Sequence, residues 1–323
     1  MRASPSSTAV PHTVALTGAT GFVGGAIARR LVADGWHVRA LVRARSNTER
    51  LPRLDALERV PGSLEDCDSL RRLVSGADAI VHCAGAVRGR SEQDFVRVNV
   101  DGVARLIDAA RERARDSRFL LMSSLASREP QLSHYASSKR RGEQVLESRA
   151  GPMRWIALRP PAVYGPGDRE LLPLFRAMDR GFAPVLGSPE ARFSLIYVDD
   201  LAAAVAAWLA SDKPPQGLFE LHDGRLGGYR WKDVIEVAAR RRGRPVRAVP
   251  VPRAVLLGVA WIGGLAARAL GRAPMLTPGK VRELTHPDWV CDDSAFTTAT
   301  GWVPQVRFDQ GLELTLAASR DGG

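Results

Sequence analysis

Short apolar runs alternate with amphipathic helical stretches through the first half of the chain. Residues 13–17 (TVALT) read as a buried strand, and the glycine-rich GATGFVGG follows directly. AIARRLVADG then shows helical apolar spacing through Ile27, Leu31 and Val32 and ends at Gly35. HVRALVR is the next strand, completing a βαβ unit. Further on, residues 77–85 (ADAIVHCAG) predict a strand running into a turn. DFVRVNVDGVARLIDAARERA predicts one long helix, SRFLLMSS a strand, YASSKRRGEQVLESR a helix, and RWIALRPPAVYG a strand broken by two prolines. This alternation predicts an α/β fold with a doubly wound parallel sheet and helices on both faces.

From about residue 166 prolines and glycines loosen the pattern. FSLIYVDD is a further strand candidate and LAAAVAAWLA a further helix. The expected organisation is a flexible tail over 1–12, a main domain over 13–165, and a smaller lobe over 166–323. Segments around 191–210 are expected to return to the main domain. The most apolar segment is 252–272, with Arg253 and Arg268 flanking its uncharged stretch. It reads as a buried lobe helix, a substrate lid or an interfacial membrane helix; it is short for a spanning one.

Composition changes this picture little. At 45% hydrophobic and 25% charged, the 323 residues are ordinary for a soluble globular protein. Cys67, Cys83 and Cys291 have neither disulfide nor zinc spacing. They read as buried thiols in a reducing compartment, so a cytoplasmic location and no metal are expected. Residues 1–9 are polar and no secretory leader is expected. The net charge of +11 comes mostly from arginine, but runs such as ARRRGRP lack aromatic neighbours, so no nucleic-acid partner is expected.

The chemistry starts at the glycine turn. Gly18, Gly21 and Gly24 stand between a predicted strand and helix, where they permit a tight turn, a backbone approach to pyrophosphate and close packing. Thr20, Phe22 and Val23 belong to the same phosphate-binding segment. An acid at the end of the second strand would hold the ribose hydroxyls of NAD; this chain has Val42 and then Arg43. A guanidinium there suits the 2′-phosphate of NADP, so NADP(H) is expected in preference to NAD(H).

Tyr135 and Lys139 lie four apart on one helix face, and Ser123 and Ser124 end the preceding strand. A tyrosine hydroxyl titrates near 10, and a lysine cation beside it, with an oxidised nicotinamide, would lower that value. The tyrosine could then exchange a proton with a substrate oxygen that a serine hydroxyl holds.

With TGATGFVG, HCAG, VNVDG, the SS-to-YxxxK block, RPPAVYGPGD and IYVDDLA in order over about residues 13–205, the chain resembles an extended short-chain dehydrogenase/reductase. That is the NAD-dependent epimerase/dehydratase family. The stretch LTPGKVRELTHPDWVCDD is similar to its sterol-dehydrogenase-like branch. The resemblance implies a Rossmann NAD(P)-binding domain over 13–165 and a substrate-binding lobe after it. It implies a triad of Ser124, Tyr135 and Lys139, with Asn99 near the active site. Ser63 and Leu64 would face adenine; Cys83, Ala84, Gly85, Pro160 and Val163 would line the cofactor cleft with Tyr135 and Lys139. His82 reads as structural, and Asp199 and Asp200 as organisers of a helix start. A homodimer through two exposed helices is usual for the family.

Departures from the family pattern narrow the reaction. Leu125-Ala126 stands where dehydratases carry an acidic pair, and Arg159 is followed by Pro160, Pro161 and Ala162 without the asparagine of many nucleotide-sugar members. The leading expectation is an NADP(H)-dependent oxidoreductase interconverting a carbonyl and a secondary alcohol on a hydrophobic substrate, sterol-like or acyl-type, with peripheral membrane contact left open. The alternatives are a nucleotide-sugar epimerase using NAD and a non-catalytic NADP(H)-binding subunit.

Overall fold

The computed structural model describes residues 12–48, 51, 55–269, 273–274 and 276–321. Of the tail expected over 1–12, all but His12 lies outside the described residues, as does the side chain of Arg268.

The first half runs β1 (Thr13–Thr17), α1 (Phe22–Ala33), β2 (His37–Val42), β3 (Leu57–Pro61), α2 (Cys67–Val74), β4 (Ala79–His82), α3 (Glu92–Asn99), α4 (Asp101–Arg113) and β5 (Arg118–Met122). A 3-10 turn at Leu125–Arg128, α5 (His134–Arg149), β6 (Trp155–Arg159) and β7 (Ala162–Tyr164) follow. Seven parallel strands make the main sheet in the order β11-β6-β5-β4-β1-β2-β3, where β11 is Gly217–Glu220. The strand order reverses between β1 and β4, which opens a crevice beyond their carboxyl ends.

The period of two in β1 explains the layering. Val14 and Leu16 point into one apolar core with α1, and Ala15 into the other with α2, α4 and α5. Strands buried on both faces read as unbroken apolar runs, as AIV at the start of β4 does.

The single long helix expected over 94–114 is two helices broken at Val100. Helix α5 packs closely there: a Cβ on Gly142 would come within 2.4 Å of the Asn99 carbonyl oxygen. Glycine there lets the chain turn at Asn99 in contact with α5.

The second half holds α6 (Leu172–Asp179), β8 (Phe182–Leu186), β9 (Arg192–Phe193), β10 (Leu195–Tyr197) and α7 (Val198–Ala210), then β11. After it come β12 (Tyr229–Arg230), α8 (Trp231–Arg242), β13 (Arg247–Val251), α9 (Arg253–Ala269), α10 (Pro278–Leu284), β14 (Asp288–Trp289), α11 (Ser294–Thr300) and α12 (Phe308–Asp321). Buried residues of α7, with Phe296 and Trp302, share the core formed by α1. A third core gathers Tyr164, Phe175, Tyr197 and Phe308, with ring centroids 5.7–5.8 Å from Tyr164.

Two expectations need correction. Asp200 does not cap α7; it is buried, and accepts from the Gln305 and Val306 amides at 3.0 and 2.9 Å, pinning the segment before α12. Of the cysteines only Cys291 is buried, whereas Cys67 is exposed at the first position of α2. Among the described residues no helix is long and apolar enough to cross a membrane.

Candidate active site

The glycine turn lies at the sheet's crevice. Gly18 has φ 77°, and a Cβ on it would stand 2.5 Å from the Ala84 amide nitrogen. A Cβ on Gly24 would lie 2.1 Å from the Gly18 carbonyl oxygen. Glycine is therefore required at both places by the chain's own packing. Helix α1 has Gly21 as its N-cap and no side-chain cap, so its first N–H groups lack a capping side chain. That arrangement fits a pyrophosphate at a helix N-terminus. Thr20 and Phe22 are half-buried beside the turn, and Val23 faces the large cavity described below.

At the end of β2 a cleft of about 660 Å³ is lined by Arg43, Ala44, Arg45, Pro61, Gly62, Ser63 and Asp66. Asp66 is engaged with its own helix, accepting from the Asp68 and Ser69 amides, and the two guanidinium groups are exposed. Ser63 lines this cleft; Leu64 does not, because its side chain lies against Gly102 of α4.

Ser124, Tyr135 and Lys139 converge on a second cavity of about 1090 Å³. Ser133 caps α5, accepting from the Ala136 amide at 2.9 Å, and so fixes the start of the helix that carries Tyr135. Lys139 is buried and donates to the Met122 carbonyl at 2.9 Å. Burial lowers its pKa, against the opposing pull of Cys83 and Glu143. The Tyr135 hydroxyl is pushed up to about 12, first by desolvation; a hydrogen bond with Ser124 opposes this and Glu283 adds to it. Lys139 is tied to the strand end and is not among the causes of this shift, which belongs to the site without a nicotinamide.

The serine choice has a geometric reason. Ser123 donates to Glu143 at 2.5 Å and is buried, whereas Ser124 stands in the cavity beside Tyr135. Glu143 also accepts from Ser127 at 2.7 Å and from Nε and Nη2 of the Arg159 guanidinium at 2.8 and 2.7 Å. Burial would raise its pKa, but the arginine and the two serines outweigh that and hold it below the usual carboxylate range. This brace was missed in the sequence, although Glu143 follows Lys139 by four on the same helix.

Asn99 is buried, not a surface residue. Its side chain accepts from the Ala86 amide at 2.8 Å and donates to the Ala86 carbonyl at 3.0 Å and to Ser138 at 2.9 Å. Ser138 in turn donates to the Tyr135 carbonyl at 2.8 Å. Asn99 therefore locks the loop after β4 to α5. Gly85 in that loop leaves room for both, since a Cβ would lie 3.0 Å from Lys139 Nζ. Cys83 and Gly85 line the cavity, Ala84 backs Gly18, and Pro160 and Val163 form part of the wall. His82 is buried with Nδ1 2.7 Å from Thr17 Oγ1, and desolvation holds its pKa down to about 3, so it is neutral and structural.

The rest of the cavity is mostly apolar: Phe95, Leu174, Phe193, Trp231, Trp261 and Trp289 are on its wall. Helix α10 closes it over the start of α5. There Glu283 is buried, bonded to Ser133 and, at 3.0 Å, to Lys280.

Comparison with known proteins places the site in a family. Residues 14–220 match the NAD dependent epimerase/dehydratase family. Ceramide reductase of Caulobacter vibrioides is 41% identical over 277 residues, covering 85% of each chain. The decarboxylating sterol-4-alpha-carboxylate 3-dehydrogenase of Dictyostelium discoideum is 26% identical over 93% of this chain and 98% of its own. Among solved structures, MoeE5 in complex with UDP-glucuronic acid and NAD superposes with a TM-score of 0.73 over 97% of this chain and all of its own, at 19% identity, which speaks to the fold alone.

Proposed function

The chain belongs to the NAD dependent epimerase/dehydratase family, and from that premise we propose that it reduces a carbonyl group on a ceramide-type lipid with NADPH. It is an NAD(P)-dependent oxidoreductase of the extended short-chain dehydrogenase type. The observation that carries the substrate class is the cavity around Tyr135, about 1090 Å³ and walled by aromatic and aliphatic side chains. Its size is at the upper end for small-molecule sites, enough for a nicotinamide and part of a long chain. The relative named ceramide reductase supports the same class.

The cofactor, when bound, supplies a hydride to the carbonyl carbon. Tyr135 donates its hydroxyl proton to the carbonyl oxygen, and a hydroxyl held near pKa 12 is protonated at neutral pH. Ser124 holds and orients the same oxygen. Gly18, Gly21 and Gly24 would receive the pyrophosphate, with Arg43 and Arg45 at the 2′-phosphate. Nucleotide-sugar epimerisation has against it the apolar wall and Pro160-Pro161-Ala162 after an arginine already bound by Glu143.

The test is NADPH and NADH titration of the purified chain, followed by turnover with a ceramide-type ketone, a sterol ketone and a UDP-sugar. Tight NADPH with lipid-ketone reduction is expected. Tight NAD with UDP-sugar turnover would sink the reading.

A further inference from the structure

Helix α9 carries its apolar side chains outward. Val255, Val259, Trp261, Ile262 and Leu265 are 53, 54, 63, 72 and 62% exposed. Among its described side chains only Ala260 is buried. At 100° per residue Val255, Val259 and Ile262 form one outer stripe, while Ala260 and Gly264 face the opposite way, into the active-site cavity. Trp261 and Leu265 stand between the two, exposed and yet on the cavity wall, so they form its rim. No charged residue occurs from 254 to 267. Water is a poor partner for such a surface, and an apolar face of this kind marks an interaction site.

The surrounding charge says which. Between Glu236 and Glu283 the chain carries ten basic residues and no acid. Arg241 is paired with Asp179 and Glu313, but Arg244, Arg247 and Arg253 are exposed just before or at the start of α9. Apolar stripe and basic flank together fit a lipid surface that bears anionic headgroups. A 17-residue helix is about 26 Å long at 1.5 Å per residue, short of a hydrocarbon core, so it lies in the plane of the interface.

We infer that α9 docks the protein on an anionic membrane surface, with the cavity rim at Trp261 and Leu265 turned toward the lipid. A long-chain substrate then enters from the bilayer past this rim without crossing water. The docking stands on the exposed helix; only the entry route rests on the lipid-substrate reading.

The test is cosedimentation of the full chain with vesicles of phosphatidylcholine, alone or with phosphatidylglycerol, in the absence of cofactor and substrate. The wild type is expected to sediment with the anionic vesicles and less with the neutral ones. The V259D/I262D double variant, which alters the outer stripe and no cavity residue, is expected to lose at least about tenfold in vesicle affinity. Its melting temperature and circular dichroism should match the wild type. Quenching of tryptophan emission by brominated lipid is expected in the wild type and weaker in Trp261→Phe. Wild type left in the supernatant, or a double variant that sediments equally well, overturns the inference. So does a wild-type dimer in lipid-free buffer that the double variant turns into a monomer, which would give the stripe to a second copy. Because binding is read without turnover, vesicle docking by a chain that reduces no lipid ketone would sink the substrate reading and leave this one standing.

Discussion

Lys139 donates to the main-chain carbonyl of Met122, 2.9 Å away, across the end of β5. Its side chain is therefore anchored to the sheet at the crevice, with Gly85 leaving space on one side. Tyr135 keeps its proton because burial dominates its environment. In the proposed reduction the pair would divide the work: the lysine stands beside the cofactor crevice, and the tyrosine holds a proton to give.

Removing that proton donor should stop turnover and little else. Tyr135→Phe is expected to lower kcat by roughly 10²–10⁴-fold, the usual worth of a positioned acid. NADPH affinity should remain within about twofold, since the ring's packing against Phe95 is kept. Kinetics paired with a fluorescence titration reads both; surviving turnover would remove Tyr135 from the chemistry.

The pH profile follows from the same group. Reduction needs the protonated hydroxyl, which is present below its pKa of about 12. With NADPH bound, kcat/KM for reduction should be flat through the neutral range and fall only in strong alkali. Alcohol oxidation needs the deprotonated form and should rise with pH. A reduction rate that halves near neutral pH would contradict the raised value.

Arg43 should set cofactor choice. Arg43→Ala removes a charge-assisted contact worth about 1.5–3 kcal/mol, so NADPH should bind roughly 10–100-fold more weakly. NADH, which has no 2′-phosphate, should bind nearly as before. Equal losses for both cofactors would show that the arginine does not read that phosphate.

The Glu143–Arg159 brace should appear as stability. Its carboxylate is buried and its folded pKa lies below the ordinary 4.5. The contribution is therefore complete above 4.5 and is lost as pH falls through the lower folded value. Glu143→Ala removes the buried carboxylate, leaves the part-buried Arg159 guanidinium without it, and should cost about 3–5 kcal/mol at neutral pH. Melting curves at several pH values check this: the gap between wild type and variant should narrow on acidification.

What could be read from the sequence was what neighbours in the chain decide. The Gly18–Gly24 turn, the i, i+4 pair of Tyr135 and Lys139, and the strand broken at Pro160 are local patterns, and the structure draws the first two to one crevice. The break at Val100 was not legible, and the packing beside it, against Gly142, comes from over forty residues away on another helix. Nor was the Glu143 cluster, whose partners come from β6, the end of β5 and the 3-10 turn. Asp200 sits where a helix start would use an acid, yet its partners are more than a hundred residues further on. The exposure of α9 runs against the ordinary rule that apolar residues go inside, so patterning alone left its fate open.

Strand β11 closes the edge of the main sheet beside β6, and Trp302 reaches back to donate to the Asp200 carbonyl at 3.2 Å. A ribosome making this chain has therefore released most of it before the nucleotide-binding core is whole. The nascent first half carries β6 with an open edge and α1 without α7 over it. Such a half-built sheet exposes strand edge and apolar surface while synthesis continues. Stalling translation short of β11 should yield a species held by chaperones, and a gene cut at residue 165 should give an aggregate where a free-standing domain would give a soluble protein.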